Sequence, residues 1–400
     1  MLDRIKKKIK KRTARRALLI LSCVALTISC VMAAYSLVIP KTVTCFAEDE
    51  IPSYLGASFV ASGEESEAGR TSGRYMLFGA IPVKSVTVNR IEDVKLYVGG
   101  VPFGLKFALE GAVVVGFEGE SENPAYKAGL RLYDTVTKVN GKSVLGAADL
   151  SKAAESGGEI TLTYERAGKE GTVKFKPGYS ESEKRYVLGI HLKDSGAGIG
   201  TLTYVLQNGE FGGLGHGVCD SETGELTKIV GGSVLGVCIN GIVKGERGAP
   251  GELKGYFNSS KMGSIAKNTD CGVFGALAAA PTEITDKTYS IGLRDELKEG
   301  AATLLCTLDS GERREYSIEI SNINRGATGN KCFTVKITDP ELIERTGGIV
   351  QGMSGSPILQ NGKLVGAVTH VMIGDPTVGY GIFIENMLNQ TLSSGTSLAA

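Results

Sequence analysis

The 400-residue chain carries 44 Lys/Arg against 43 Asp/Glu, a formal net charge of +1, with 55 glycines, 12 Phe, 14 Tyr and no Trp. That length exceeds the usual span of one domain, so two folded units are expected, and a glycine share roughly twice the average with few aromatics favours short strands joined by turns over a helical bundle. Nine of the basic residues and one acid fall in residues 1–16, which leaves 35 basic and 42 acidic residues for the remainder, a surface that excludes nucleic acid as a partner.

Residues Ala17–Ile39, "ALLILSCVALTISCVMAAYSLVI", carry no charge. As a helix rising about 1.5 Å per residue they reach roughly 35 Å, enough to cross a hydrocarbon core of about 30 Å. The basic tail, residues 1–16, is expected to stay cytoplasmic by the positive-inside rule, so everything after Pro40 is exported. The competing reading is a cleaved secretory signal, with "VMAA" offering small residues, but its apolar region normally runs only about 7–15 residues. Six cysteines lie beyond this segment (Cys45, Cys219, Cys238, Cys271, Cys306 and Cys332), without the close spacing of a metal site, and spacing alone assigns no disulfide. No metal and no cofactor is expected.

After the anchor, Lys41–Arg74 is polar and irregular ("SGEESEAGRTSGR") and reads as a spacer open to proteolysis, within a spacer region of residues 40–94. Strand-like alternation begins at "IPVKSVTVNRIEDVKLYV". A compact unit is expected over residues 95–177 and a second over 178–400. Asn-Gly occurs at 140–141, 208–209, 240–241 and 361–362, each time between apolar β-branched runs. A type I′ turn needs positive φ at both central residues, so each pair predicts a hairpin and the four together a mainly β protein.

The first unit resembles a PDZ domain. "YVGGVPFGLKF" at 97–107 is similar to the loop and strand whose amides receive a peptide's terminal carboxylate, which nominates Val98, Gly99, Gly100, Phe103 and Gly104 for binding peptide C-termini by strand addition. "NPAYKAGLRLYDTVTKVNGKSV" at 123–144 resembles the short helix, turn and strand pair of that family, except that Tyr133 stands where a glycine usually precedes the acid.

Chemistry concentrates in the second unit. A serine hydroxyl needs a neighbouring base, and imidazole titrates near neutral pH. The chain has three histidines. His191 sits in the alternating stretch "VLGIHLKD", as a solvent-side strand residue would, and His370 follows Ser354 by sixteen positions. His216 is set among glycines in "EFGGLGHGVCD", where the backbone is free to approach another segment. "GIGTLTYVLQNGEFGGLGHG" reads as strand, hairpin, strand and histidine, which resembles the lead-in to the catalytic histidine of chymotrypsin-like proteases. "GMSGSP" resembles the Gly-x-Ser-Gly-Gly-Pro nucleophile motif of that clan. The resemblance implies Ser354 as nucleophile, the amides of Gly352 and Ser354 as an oxyanion hole, and a double β-barrel. Ser356 replaces a glycine and reads as packing. Met353 replaces the aspartate that pairs with a new N-terminus in digestive proteases, so that activation switch is missing. For the third catalytic residue two acids keep the order His, Asp, Ser: Asp220, four after His216, and Asp339, which is also a natural helix N-cap before Pro340.

Taken together, "LKDSGAGIGTLTYVLQNGEFGGLGHGVCD" and "GMSGSPILQNGKLVGAVTHV" closely resemble the stage IV sporulation protein B peptidase family, with anchor, PDZ unit and peptidase unit in the same order. The resemblance implies a serine endopeptidase secreted by the forespore into the intermembrane space. It implies cleavage of its own N-terminal region and then of a partner protein that holds an intramembrane metalloprotease inactive, so that a late sigma factor is processed. It also implies Asp339 as the acid. Two other readings stay open: a catalytically inactive protease-like scaffold whose PDZ unit tethers a partner, and a Ser–Lys hydrolase that uses Lys363.

Overall fold

In the computed structural model, the uncharged run lies in one helix, α1 (Leu2–Val38). Leu18–Val38 has a mean hydropathy of 2.3, long and apolar enough to cross a membrane. Its leucines, isoleucines and valines from Leu18 to Val38 stand exposed, as they do on a helix with no polar face to turn to water. The structure describes residues 2–63, 70–220, 223–309 and 312–391, and the chain forms two units whose main bodies are Met1–Asp93 and Val94–Gly395.

The expected spacer is folded. β1 (Thr42–Phe46), β2 (Ala57–Ala61), β3 (Arg70–Leu77) and β4 (Ile81–Ile91) form a sheet in the order β1-β4-β3-β2. Val43, Cys45, Tyr75, Val86 and Val88 face a core that also takes Tyr35 and Ile39 from the end of the helix region, and the Tyr35 hydroxyl donates to the Leu55 carbonyl at 2.7 Å. The glycine of "RTSGRYML" is not a turn signal but a packing site, since a Cβ on Gly73 would stand 2.3 Å from the Phe59 ring. Residues 64–69, part of the stretch expected to be open to proteolysis, lie outside the described residues.

The second unit starts with β5 (Leu96–Val98), β6 (Pro102–Phe117), α2 (Pro124–Lys127), β7 (Thr135–Val139), β8 (Lys142–Ser143), α3 (Ala147–Ala154), β9 (Ile160–Arg166) and β10 (Lys169–Phe175). A small PDZ-like core of Ala112, Val114, Val136, Leu150, Ile160 and Leu162 forms where the second half of β6 meets β7, β9, β10 and α3. Asn123 caps α2 by accepting from the Ala125 amide at 2.8 Å. Asp134 is fully buried and takes two bonds of 2.6 Å from the Arg166 guanidinium and one of 2.7 Å from the Arg131 amide. Tyr133 adopts φ +68°, the left-handed conformation that glycine takes without strain.

Next come β11 (Gly178–Ser180), β12 (Arg185–Val187), β13 (Ile190–Leu206), β14 (Glu210–Gly213), β15 (Ile229–Val243), β16 (Glu252–Thr269) and β17 (Gly272–Leu277). Neighbour pairs run β6-β15-β16-β17-β14-β13, and β13 pairs back onto β6, closing a six-stranded ring. Phe103, Leu105, Phe107, Leu202, Val205 and Phe211 are in its core. The expected boundary at residue 178 therefore moves: the first half of β6 belongs to this barrel and the second half to the small core, so the small domain is inserted between two barrel strands. The nominated carboxylate loop is corrected for the same reason. The Gly99 and Gly100 amides donate to Thr203 and Leu202 carbonyls at 2.8 Å. Val98 and Phe103 are fully buried in the barrel, and a Cβ on Gly104 would stand 2.6 Å from Phe257. None of these amides is turned out to receive a peptide.

After β18 (Thr288–Tyr289), the chain builds a closed second barrel from β19 (Gly300–Thr307), β20 (Arg313–Ser321), β21 (Phe333–Ile337), β22 (Pro357–Gln360), β23 (Lys363–Met372) and β24 (Asp375–Phe383). α4 (Pro340–Thr346) lies between β21 and β22, and α5 (Ile384–Thr391) follows the barrel. The fold is thus mainly β, with one N-terminal apolar helix. Asn-Gly marks turns at 140–141, 208–209 and 361–362. Asn240–Gly241 instead lies inside β15, at a register shift between Ile239 and Gly241, so the glycine there serves a bulge.

Candidate active site

The Ser354 loop is shaped by helix, glycine and strand in turn. α4 ends at Gly347 with φ +75°, a left-handed stop. Gly352 (φ +97°) and Gly355 (φ +93°) curl the chain on either side of Met353 and Ser354. A Cβ on Gly355 would stand 2.2 Å from the Thr201 carbonyl oxygen, so only glycine lets the loop approach β13. β13 in turn holds the loop: Thr201 Oγ1 donates to the Gly352 carbonyl at 2.7 Å, the Thr201 amide to the Ser354 carbonyl at 3.0 Å, and Thr203 Oγ1 to the Gly355 carbonyl at 2.8 Å. Behind it, the Leu253 amide at the start of β16 donates to the Gln351 carbonyl at 2.9 Å.

The Gln351, Gly352 and Ser354 carbonyls are all engaged by the first barrel. Among the described residues neither the Gly352 nor the Ser354 amide has a partner. Met353 is fully buried beneath them. Ser354 Oγ donates to the Thr369 carbonyl on β23 at 2.9 Å.

His216 follows β14. Its Nδ1 lies 2.8 Å from the Gly217 carbonyl, and since a carbonyl only accepts, Nδ1 carries the proton and Nε2 the lone pair. Burial pushes this imidazole below its ordinary value, and the Gly217 bond opposes the shift. His370 stacks on it, ring centroids 4.7 Å apart and tilted by 37°. Burial first, then electrostatic repulsion of its proton by the neighbouring His216 ring and the Lys331 cation, lowers His370 to about 4. His216, His370, Gly352 and Ser354 line one cleft of about 460 Å³ with Leu105 and Phe107.

The structure separates the other candidates. Asp339 caps α4, accepting from the Leu342 amide at 3.1 Å with one oxygen and from the Ser317 amide at 3.2 Å with the other. Both oxygens accept from local amides, and Asp339 does not line the cleft that holds His216. Asp220 lines the cleft but lies 3.6 Å from Lys193 and accepts from the Thr223 amide. Lys363 pairs with Glu296 at 2.7 Å, outside the cleft lining. His191 is exposed on the small domain.

Two sets of residues escape a reading of the sequence. Thr201 and Thr203 look like ordinary alternating strand residues, and only their apposition to the glycine loop gives them work. Asp270 is the other: it precedes β17, which pairs with β14, the strand that leads to His216 (Gly213 with Val273, Gly212 with Phe274). The carboxylate raises the Cys219 thiol, after burial, so it is close to the loop that carries the imidazole. Its sequence signal is a lone acid just ahead of the apolar strand "GVFGAL".

The profile of the SpoIVB peptidase S55 family matches residues 184–388, just over half of the chain. A CtpA-like serine protease of Staphylococcus aureus strain COL is 36% identical over 113 residues, 27% of this chain, and the chain spans 22% of that relative's length. Among solved structures, the PDZ domain of an SdrC-like protein from Listeria monocytogenes is 19% identical, covering 21% of this chain and 87% of that one at a TM-score of 0.19. An inactive form of the Rv3671c protease of M. tuberculosis H37Rv is 12% identical, covering 50% and 82% at a TM-score of 0.27. With the serine loop and an imidazole in one cleft and the family profile spanning both, the chain belongs to the SpoIVB peptidase S55 family.

Proposed function

We propose that the protein is a membrane-anchored endopeptidase in which Ser354 attacks the scissile carbonyl and His216 is the base. The observation that carries this reading is the shared cleft, in which a neutral imidazole with its Nε2 lone pair and the serine stand beside two unpartnered amides. In the reaction Ser354 Oγ leaves the Thr369 carbonyl and turns to Nε2. The Oγ–C bond forms as the proton passes to Nε2, and the Gly352 and Ser354 amides receive the oxyanion. The imidazolium then returns the proton to the leaving amine as the C–N bond breaks, and water repeats the sequence on the acyl-enzyme. The Gly217 carbonyl holds the required tautomer, and Asp270, close enough to the loop after His216 to raise the Cys219 thiol, is the carboxylate proposed to answer the imidazolium in place of Asp339.

The likeness to the sporulation family supports a finer reading: self-cleavage in the N-terminal region, then cleavage of a membrane-associated regulator in the space between two membranes, leading to activation of a late sigma factor. Binding of peptides by the small domain belongs to the same reading. N-terminal sequencing of the full-length protein and its Ser354→Ala and His216→Ala variants tests it. Processing in the wild type and its loss in both variants is expected; processing that survives Ser354→Ala would remove Ser354 as nucleophile, and a wild type that neither processes nor reacts with a serine-directed phosphonate would leave a tethering scaffold.

A further inference from the structure

Beside the catalytic cleft lies a second, smaller cavity of about 140 Å³. It shares Phe107, Val218, Cys219 and Asp220 with the cleft, and none of residues 351–354 lines it. Its floor is apolar, built from Phe107, Leu109, Val113, Val218 and Leu226, its far wall, Tyr133, Thr135 and Thr137, comes from the inserted small domain, and charged side chains, Glu110 and Glu225 among them, complete the lining. Two ion pairs hold the walls together, Lys228 with Glu165 at 2.8 Å and Lys193 with Asp220 at 3.6 Å.

Its place relative to the reacting atoms follows from proton traffic. The imidazole that takes the serine proton must hand it to the leaving nitrogen, so the chain after the scissile bond runs past His216. Val218, Cys219 and Asp220 come directly after that histidine and lead from the cleft into the cavity. We propose that this cavity is the specificity pocket for the leaving-group side of the substrate and takes one apolar side chain of leucine or phenylalanine size, within the first two residues after the cut. A cavity of about 150 Å³ is large enough for a benzene ring, which sets the size of the side chain that the apolar floor would take. The pocket rests on the peptidase reading above and deepens it: the substrate is selected by a site that the barrel cannot complete without the inserted domain.

The test is a peptide library digested by the full-length protein in detergent, with cleavage products sequenced. At one of the two positions after the cut, Leu is expected to exceed Ala by at least about tenfold in kcat/KM, the scale on which apolar pockets discriminate by size. Thr135→Trp, which fills the pocket from the small-domain wall, should bring that ratio close to one. Leu226→Ala, at a side chain already 38% exposed and so tolerant of truncation, should move the preference from Leu to Phe and decides the matter if Thr135→Trp does not fold. A flat wild-type profile, or a Leu226→Ala profile identical to the wild type, overturns the pocket. Failure of the wild type both to cut any peptide and to label at Ser354 with a fluorophosphonate overturns the peptidase reading itself, a distinct result.

Discussion

At the scale of single residues, the paired imidazoles set the pH behaviour. Burial depresses both His216 and His370, so each is neutral in the folded protein where an unfolded histidine, near 6.5, begins to charge. The unfolded chain then binds more protons, and stability present above about pH 6.5 is lost as pH falls towards the folded value of about 4 for His370. Catalysis follows the same sign: kcat/KM should rise with pH through an apparent pKa below 6.5, and a profile whose limb lies above 7 would contradict the burial of His216. His370→Ala should lower kcat by a few fold, since a ring contact contributes about 0.5–1.5 kcal/mol, without abolishing processing.

Asparagine scanning separates the acids at this scale. Asn caps a helix as well as Asp, so Asp339→Asn should keep both thermal stability and activity. Asp270→Asn should lower kcat at least tenfold with the melting temperature unchanged, in the direction that loss of a triad carboxylate takes. The reverse ranking would return the third position to Asp339.

At the scale of elements, β13 links the small domain to the nucleophile loop through one continuous strand of 17 residues. Its N-terminal end is in the small domain and its C-terminal end supplies Thr201 and Thr203. Thr201→Val keeps the strand's shape but leaves the Gly352 carbonyl without its partner, at a cost of about 1–3 kcal/mol. Because that carbonyl fixes the loop that carries both oxyanion donors, the loss should fall on kcat more than on KM. Thr201→Ser, which keeps the hydroxyl, should restore most of the rate, whereas an equal loss in both variants would mean that the methyl's packing, not the bond, matters.

At the scale of the whole molecule, the insertion changes what a truncation means. Removing residues 95–177 takes β5 and the first half of β6 out of the first barrel, so no folded peptidase should result. Replacing residues 112–187 with a short linker keeps the barrel segments on both sides, and that protein should melt cooperatively and react at Ser354 with a phosphonate. Soluble, cooperative folding of the larger deletion would show that the barrel does not need β6.

Legibility ran with locality. The apolar run, three of the four Asn-Gly turns, the capped helix at Asp339 and the glycine-flanked Ser354 and His216 are set by neighbours within a few residues, where spacing, φ requirements and side-chain chemistry leave few options. The sheet over residues 42–91 was hidden because the polar stretch "SGEESEAGRTSGR" reads as a spacer, and nothing in it shows that the Phe59 ring packs over Gly73. The carboxylate loop was misplaced because "YVGGVPFG" has the right residues, but its amides are consumed by a strand more than 100 positions away.

The sequence by itself therefore determined the apolar helix, the β character of the chain and the two side chains, Ser354 and His216, that the fold places in one cleft. The tertiary structure alone decided that the small domain interrupts a barrel, that Asp339 is a cap, that Thr201 and Thr203 grip the serine loop, and that Asp270 lies near the loop that follows the histidine. The reason is physical: strand pairing and close approach bring together residues far apart in sequence, and no local pattern records which distant backbone will use an amide, a carbonyl or the space above a glycine.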